Sequence, residues 1–269
     1  MALALSCCLL LAAQGCTKVT ARRLAKEGND LYRSGRYKQA LERFEAAAKL
    51  DPDFPTIHLH MGYSAMSLAA TSPKPTATSF ASKAIAAFRR FKRLAPGDER
   101  GPKFYLQALL DAGRTGEALG FLEQQHIANP KDVTIVSSLG AVSSRAGQFE
   151  NALKWYEKRA SLLPGEPKPW YLVGTLCWEH LYKNSAVVGA ERVRVADRGI
   201  QALQKTVSMR ADSANEALVY INLLFRERAK GQDDPVMRDH DMRQAHQYHE
   251  QAVKALKATA TGKSHAASK

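Results

Sequence analysis

Pro96, Pro130 and Pro164 stand 34 residues apart, and this interval constrains the fold more than any other feature of the chain. A fixed period of that length marks a molecule built from one recurring unit, each copy burying its apolar face only against its neighbours. The unit is clearest upstream, in residues 24–52, LAKEGNDLYRSGRYKQALERFEAAAKLDP. It reads as two amphipathic helices around a tight turn. Ser34-Gly35 ends the first, because glycine enters the left-handed backbone region without a Cβ penalty. The second starts near Tyr37 and sets Ala40, Leu41, Phe44, Ala47 and Leu50 on one face, at spacings of three and four. Asp51-Pro52 stops it, since proline has no N–H for the next helical bond. Gly28, Ala40 and Ala47 are small enough to let the helices approach, and Leu24, Tyr37 and Phe44 fill the space between them.

This pattern resembles a tetratricopeptide (TPR) unit, with its small residue in the first helix, small–aromatic–small spacing in the second, and closing proline. The same positions recur. Gly113, Ala118 and Leu122 precede Pro130; Gly140, Gly147, Phe149, Ala152 and Tyr156 precede Pro164. Pro52 and Pro96 are 44 residues apart, so the unit between them, with Gly62, Ala84 and Phe88, carries about ten extra residues. A fifth unit starts at Trp170 with Gly174 as its small residue and resumes at Gly199, Leu203 and Met209. A sixth runs from Glu216-Ala217 through Leu224, then from Ala245 to Ala252. The resemblance implies an all-α, right-handed superhelix of about five to six helical hairpins over residues 17–258. Insertions are expected near 69–83, as a flexible Thr/Ser/Ala/Pro-rich loop, and near 183–198, as a longer helix or extra turn. Residues 259–269 read as a disordered tail.

Residues 1–16, MALALSCCLLLAAQGC, hold no charged side chain and are too few to span a bilayer as a helix. They fit the apolar region of a secretory signal. The end of the run resembles a bacterial lipoprotein processing site, with Gly15 before Cys16, the residue that would be acylated. Ala13 stands where leucine is usual, and no Lys or Arg precedes the run. The expectation is a protein of the cell envelope, lipid-anchored through Cys16 and facing the periplasm or exterior. A plain secretory leader and a cytosolic N-terminus are the alternatives. Lys18, Arg22, Arg23 and Lys26 would follow the anchor, each adding about 1 kcal/mol beside an anionic leaflet.

The formal net charge is +13, which suits an anionic partner or simply a lysine-rich solvated surface. Arg89, Arg90, Lys92 and Arg93 form the densest basic patch. No aromatic or base-reading groups are interleaved with it on the exposed face, so nucleic acid is a poor fit. Cys7, Cys8 and Cys16 lie in the leader, leaving Cys177 on the packing face of a helix, where it reads as a small buried apolar residue. His246 and His249 have the spacing to meet a metal with His240 or Glu250. Neither a cysteine nor a carboxylate cluster joins them, so no metal is expected. The chain has no GxGxxG, P-loop, GxSxG, HExxH or paired CxxC; no enzyme activity, cofactor or small-molecule substrate is expected.

What remains is a binding surface. In TPR arrays the first helices line a concave groove that holds partner peptides. The resemblance places Asn29, Tyr32, His60, Tyr63, Met66, Phe104 and Gln107 along it, continued by Ser138, Ala141, Tyr171, Thr175, Trp178 and Asn222. Tyr63 and Trp178 could instead pack between repeats. The lysine–asparagine clamp by which some TPRs hold a chaperone's C-terminal carboxylate is broken: Asn29 fits, but Ala25, His60 and Phe104 occupy the other sites. The function expected is a non-enzymatic interaction scaffold with a protein or peptide partner. The alternative is a cytosolic basic adaptor for an acidic protein or nucleic acid.

Overall fold

The computed structural model describes the backbone of residues 2–210 and 213–266, and side chains within 17–210 and 213–257. Among the described residues there are twelve helices and no strand. The chain divides into two compact units, Met1–Phe121 and Leu122–Lys269.

The first unit contains α1 (Ala2–Arg33), α2 (Tyr37–Leu50), α3 (Pro55–Thr71), α4 (Lys74–Leu94), α5 (Arg100–Asp111) and the start of α6 (Thr115–Ala128). Helices α1/α2 and α3/α4 pair, and α5 packs on α4. At the first turn Gly35 has φ +76°, and the N–H of Arg36 donates to the Leu31 carbonyl at 2.9 Å. Gly113 repeats this at φ +69°. The expected close approach is present: Phe44 lies wholly buried against Gly28, and Phe88 against Gly62. Ala21, Ala40, Ala47 and Ile57 complete the core around Phe44. The edge of Tyr105 meets Phe121 at 5.1 Å between centroids, joining α5 to α6.

Residues 69–83 are not a flexible loop. Helix α3 runs to Thr71, α4 starts at Lys74, and only Ser72-Pro73 separates them. The Ser/Thr/Pro composition misleads because both prolines sit where a helix tolerates them. Pro73 caps α4 and Pro75 lies in its first turn, whose N–H groups have no helical acceptor. The extra residues therefore lengthen two helices, to 17 and 21 residues.

The second unit holds the rest of α6, then α7 (Val133–Arg145), α8 (Phe149–Leu162), α9 (Pro167–Lys183), α10 (Gly189–Ser208), α11 (Ala214–Lys230) and α12 (Pro235–Ala266). Asp132 caps α7 by accepting from the N–H groups of Thr134 and Ile135, at 2.8 and 3.1 Å. Leu153, Val173, Leu181, Val195, Leu203, Ile221 and Leu224 form a continuous core. Cys177 is fully buried among them, and burial pushes its thiol up to about 12. The 183–198 insertion resolves into a short turn and the first turns of α10. The expected disordered tail is also corrected: the backbone of α12 continues to Ala266. Residues 267–269 lie outside the described residues. Among the described residues no helix is long and apolar enough to cross a membrane. The side chain of Cys16 is outside the described set, so its acylation remains an expectation from sequence.

Candidate functional site

In the first unit the residues expected to line the groove converge on Tyr63. Its ring lies 4.9 Å from Phe104 in an edge-on contact. Its centroid distances to Tyr32 and His60 are 6.5 and 6.0 Å. Behind it, 5.7 Å away, is the buried ring of Phe88, itself stacked on Phe104. One side of Tyr63 packs on the core while the ring stays half-exposed. Burial, then Arg100 and Arg33, pulls the His60 imidazole below its ordinary range, and burial raises the Tyr63 hydroxyl. The His60 Nδ1 is buried without a hydrogen-bond partner in the protein. Asn29 and Met66 are half-buried beside this cluster, and exposed Gln107 donates to Asp111 at 2.6 Å.

Met66 leads into a cavity of about 600 Å³ that sequence reading missed. Ala69, Ala77, Ala81 and Ala108 line it, with Lys74 and Asp111 on its walls. The added turns of α4 make one side of it. The signal was present in the three- and four-residue spacing of Ala77, Ala81 and Ala84.

In the second unit Tyr171, Tyr220, Trp178 and Tyr182 form a ladder. Successive centroid distances are 5.8, 5.2 and 5.1 Å. Tyr171 donates its hydroxyl to Glu216 at 3.2 Å; burial, Tyr220 and Glu216 together push that hydroxyl far above its usual range. The other polar groove residues are less available than expected. Ser138 donates to the Thr134 carbonyl and Thr175 to those of Tyr171 and Leu172, so these hydroxyls serve their own helices. Ala141 is exposed. Asn222 is a correction: it is only 5% exposed, and its Oδ1 accepts from Arg226 Nε at 3.0 Å. The arginine one turn further on covers it, so Asn222 orients that guanidinium instead of presenting an amide to a partner.

Beside the ladder, α9, α11 and α12 line a second, open cavity of about 560 Å³, with Leu223 and Ala229 among its apolar lining. Two ion-pair systems tie α11 to α10 and α12. Arg192 pairs with Glu227, their side chains 6% and 7% exposed, and donates to the carbonyls of Val187 and Asn184 in the turn between α9 and α10. Arg228 bridges Asp197 and the fully buried Asp241, at 2.6 and 2.5 Å. Burial alone would raise the Asp241 carboxyl, but hydrogen bonds from Arg228 and Gln232 outweigh it and hold the group below the usual carboxylate range. Glu227 and Asp241 were not picked out from sequence; a lone carboxylate among Leu224, Phe225 and Ala229 was the available sign for Glu227.

The basic patch is corrected as well. Arg90 is turned to Asp53 at 2.6 Å, and Arg89 lies 3.8 Å from Glu117. The Lys92 ammonium sits 4.5 Å from the Phe121 ring centre, and burial followed by Arg89 lowers its pKa. Arg93 is exposed. Three of the four cations thus serve contacts among helices, which spacing along α4 alone could not reveal. Among the described residues no group of three or more His, Cys, Asp or Glu is placed to hold a metal ion. His240 and His246 instead face Asp241 and Glu250.

Comparison with known proteins places this geometry. Residues 28–67 match the family model described as TPR repeat. No curated protein matches the chain in sequence. Among solved structures it is similar to the MamA protein at 17% identity and TM-score 0.46, over 72% of this chain and 94% of that one. It is similar to MamA from Desulfovibrio magneticus at 19% identity and TM-score 0.41, over 71% and 98%. It is similar to YrrB, described as a TPR protein with an unusual peptide-binding site, at 16% identity and TM-score 0.42, over 70% and 86%. The family match spans α1 to α3, so residues 28–67 are similar to a TPR repeat, and the same small-against-large packing recurs at Gly62 under Phe88 and at Gly140 under Tyr156.

Proposed function

We propose that this protein is a non-enzymatic interaction scaffold of the bacterial cell envelope, holding a partner protein or peptide on the aromatic faces of its first helices. The observation that carries the reading is the Tyr63 cluster. Half-exposed rings braced from behind by buried Phe88 are anchors that lose little conformational freedom on binding. The hydroxyls on the same faces serve their own helices, and burial leaves Cys177 a poor nucleophile, which suits a binding surface better than a reactive centre. Gly15-Cys16, followed by Lys18, Arg22, Arg23 and Lys26, supports a lipid anchor beside anionic headgroups.

Affinity capture from detergent-solubilised envelopes tests the scaffold. The parent should retain a partner that the Tyr63→Ala, Trp178→Ala double variant loses, and equal retention would count against it. Radiolabelled fatty acid tests the anchor: incorporation should disappear in Cys16→Ser. The net charge of +13 favours a second reading, a cytosolic basic adaptor for an acidic protein or nucleic acid. Absence of fatty-acid incorporation together with steeply salt-dependent polyanion binding would select it.

A further inference from the structure

We propose that the pocket lined by α9, α11 and α12 takes a bulky apolar side chain from an acidic peptide segment. The assignment rests on the interaction-scaffold reading and specifies the partner's chemistry at one end of the second unit's aromatic ladder.

The pocket is an open depression of about 560 Å³, large enough for one or two large side chains. Its entrance is aromatic: Tyr182 is 68% exposed and stacked on Trp178, with an interplanar angle of 19°. Leu223 and Ala229 line it further in, and Met242, 43% exposed, contributes a pliable side from α12. Such surfaces take an aliphatic or aromatic side chain without leaving a polar group unpaired.

The charged groups around this apolar depression are one-sided. Arg226, Lys230 and Arg238 line it from α11 and α12. Glu227 is the carboxylate that shares the lining, and both its oxygens are engaged, one by Arg192 and the other by Lys230. Since Arg192 offsets one charge of that group, what faces an incoming ligand is positive. Two of the cations are also held in place. Asn222 accepts from Arg226 at 3.0 Å, and Arg238 donates to the Gln232 carbonyl at 2.9 Å. Cations fixed beforehand lose less freedom when a carboxylate arrives. An acidic segment carrying one apolar anchor therefore matches the pocket in shape and sign.

Fluorescence anisotropy with the full chain tests this. The probe is a fluorescein-labelled nonapeptide of four glutamates on either side of one phenylalanine. The same peptide with glutamate at the centre, its lysine counterpart, and an oligothymidylate of equal charge serve as comparisons. The phenylalanine probe should bind about tenfold tighter than the all-glutamate peptide, and the lysine peptide should not bind. Tyr182→Ala, and separately Arg238→Glu, should each weaken the probe by about tenfold or more in chains whose cooperative melting shows that they are folded. Tyr63→Ala, in the other unit, should leave it alone. Equal binding of the two acidic peptides, parent-like binding by those variants, or equal binding of the oligothymidylate would overturn the assignment. If envelope proteins are still captured through the aromatic faces while the probe fails to bind, the scaffold reading stands and this assignment falls. If neither occurs, both fall.

Discussion

The ring of Phe88 covers Gly62 so closely that a Cβ placed on that glycine would lie 2.4 Å from it. Phe44 over Gly28 and Tyr156 over Gly140 repeat the relationship, each at 2.8 Å. Phe88 is fully buried and held between Tyr63 and Phe104, so it has no free direction in which to yield. Gly62→Ala should therefore destabilise the chain by about 1–3 kcal/mol in urea unfolding. Gly120→Ala, inside α6 with open space around it, should instead stabilise by about 0.5–1 kcal/mol.

The Arg192–Glu227 pair joins α10 to α11 with both side chains out of solvent. Removing either partner leaves the other charge buried, so Arg192→Ala or Glu227→Ala should cost about 3–5 kcal/mol in the same assay. Replacing both, as Arg192→Met with Glu227→Leu, should recover most of that loss. Additive losses in the double variant would contradict the pairing.

His58 and His60 titrate below their ordinary range, chiefly because burial disfavours the imidazolium. Their contribution to stability is fully present above the unfolded value of about 6.5 and is lost as pH falls through the lower folded values. The parent should become easier to unfold as pH falls below about 6.5, and His58→Gln with His60→Gln should flatten that slope. The variant will also lose the His58 hydrogen bond to the Pro52 carbonyl, so the slope is the diagnostic, not the absolute stability.

Burial raises the Cys177 thiol to about 12. In a chain with Cys7, Cys8 and Cys16 changed to serine, an aromatic disulfide reagent at pH 8 should find no reactive thiol until denaturant is added. Immediate reaction of one thiol would contradict the burial.

The 34-residue period, the glycine turns and the small–large pairs were legible because they arise from sterics within one hairpin. Tyr63 and Trp178 were legible as positions on a helix face. What they touch was not, since Phe88, Phe104 and Tyr220 come from other helices. The same limit hid both cavities, whose walls come from three helices each. It also made the α4 cations read as a free patch when Asp53 and Glu117 reach them from elsewhere. The 69–83 segment was misread for a local reason: proline marks a break only when it stands beyond a helix's first turn. Asn222 was on the expected register, but Arg226 one turn away takes its oxygen.

Site-specific photocrosslinking in intact cells tests the central claim most directly. A benzophenone amino acid at position 32, 63 or 178 reports on the aromatic faces; at position 38 or 158, both exposed on second helices, it reports on the opposite side of a hairpin. The account predicts a discrete protein adduct from the aromatic positions and none from the second-helix positions. Adducts confined to positions 38 and 158, or none from any aromatic position, would contradict it.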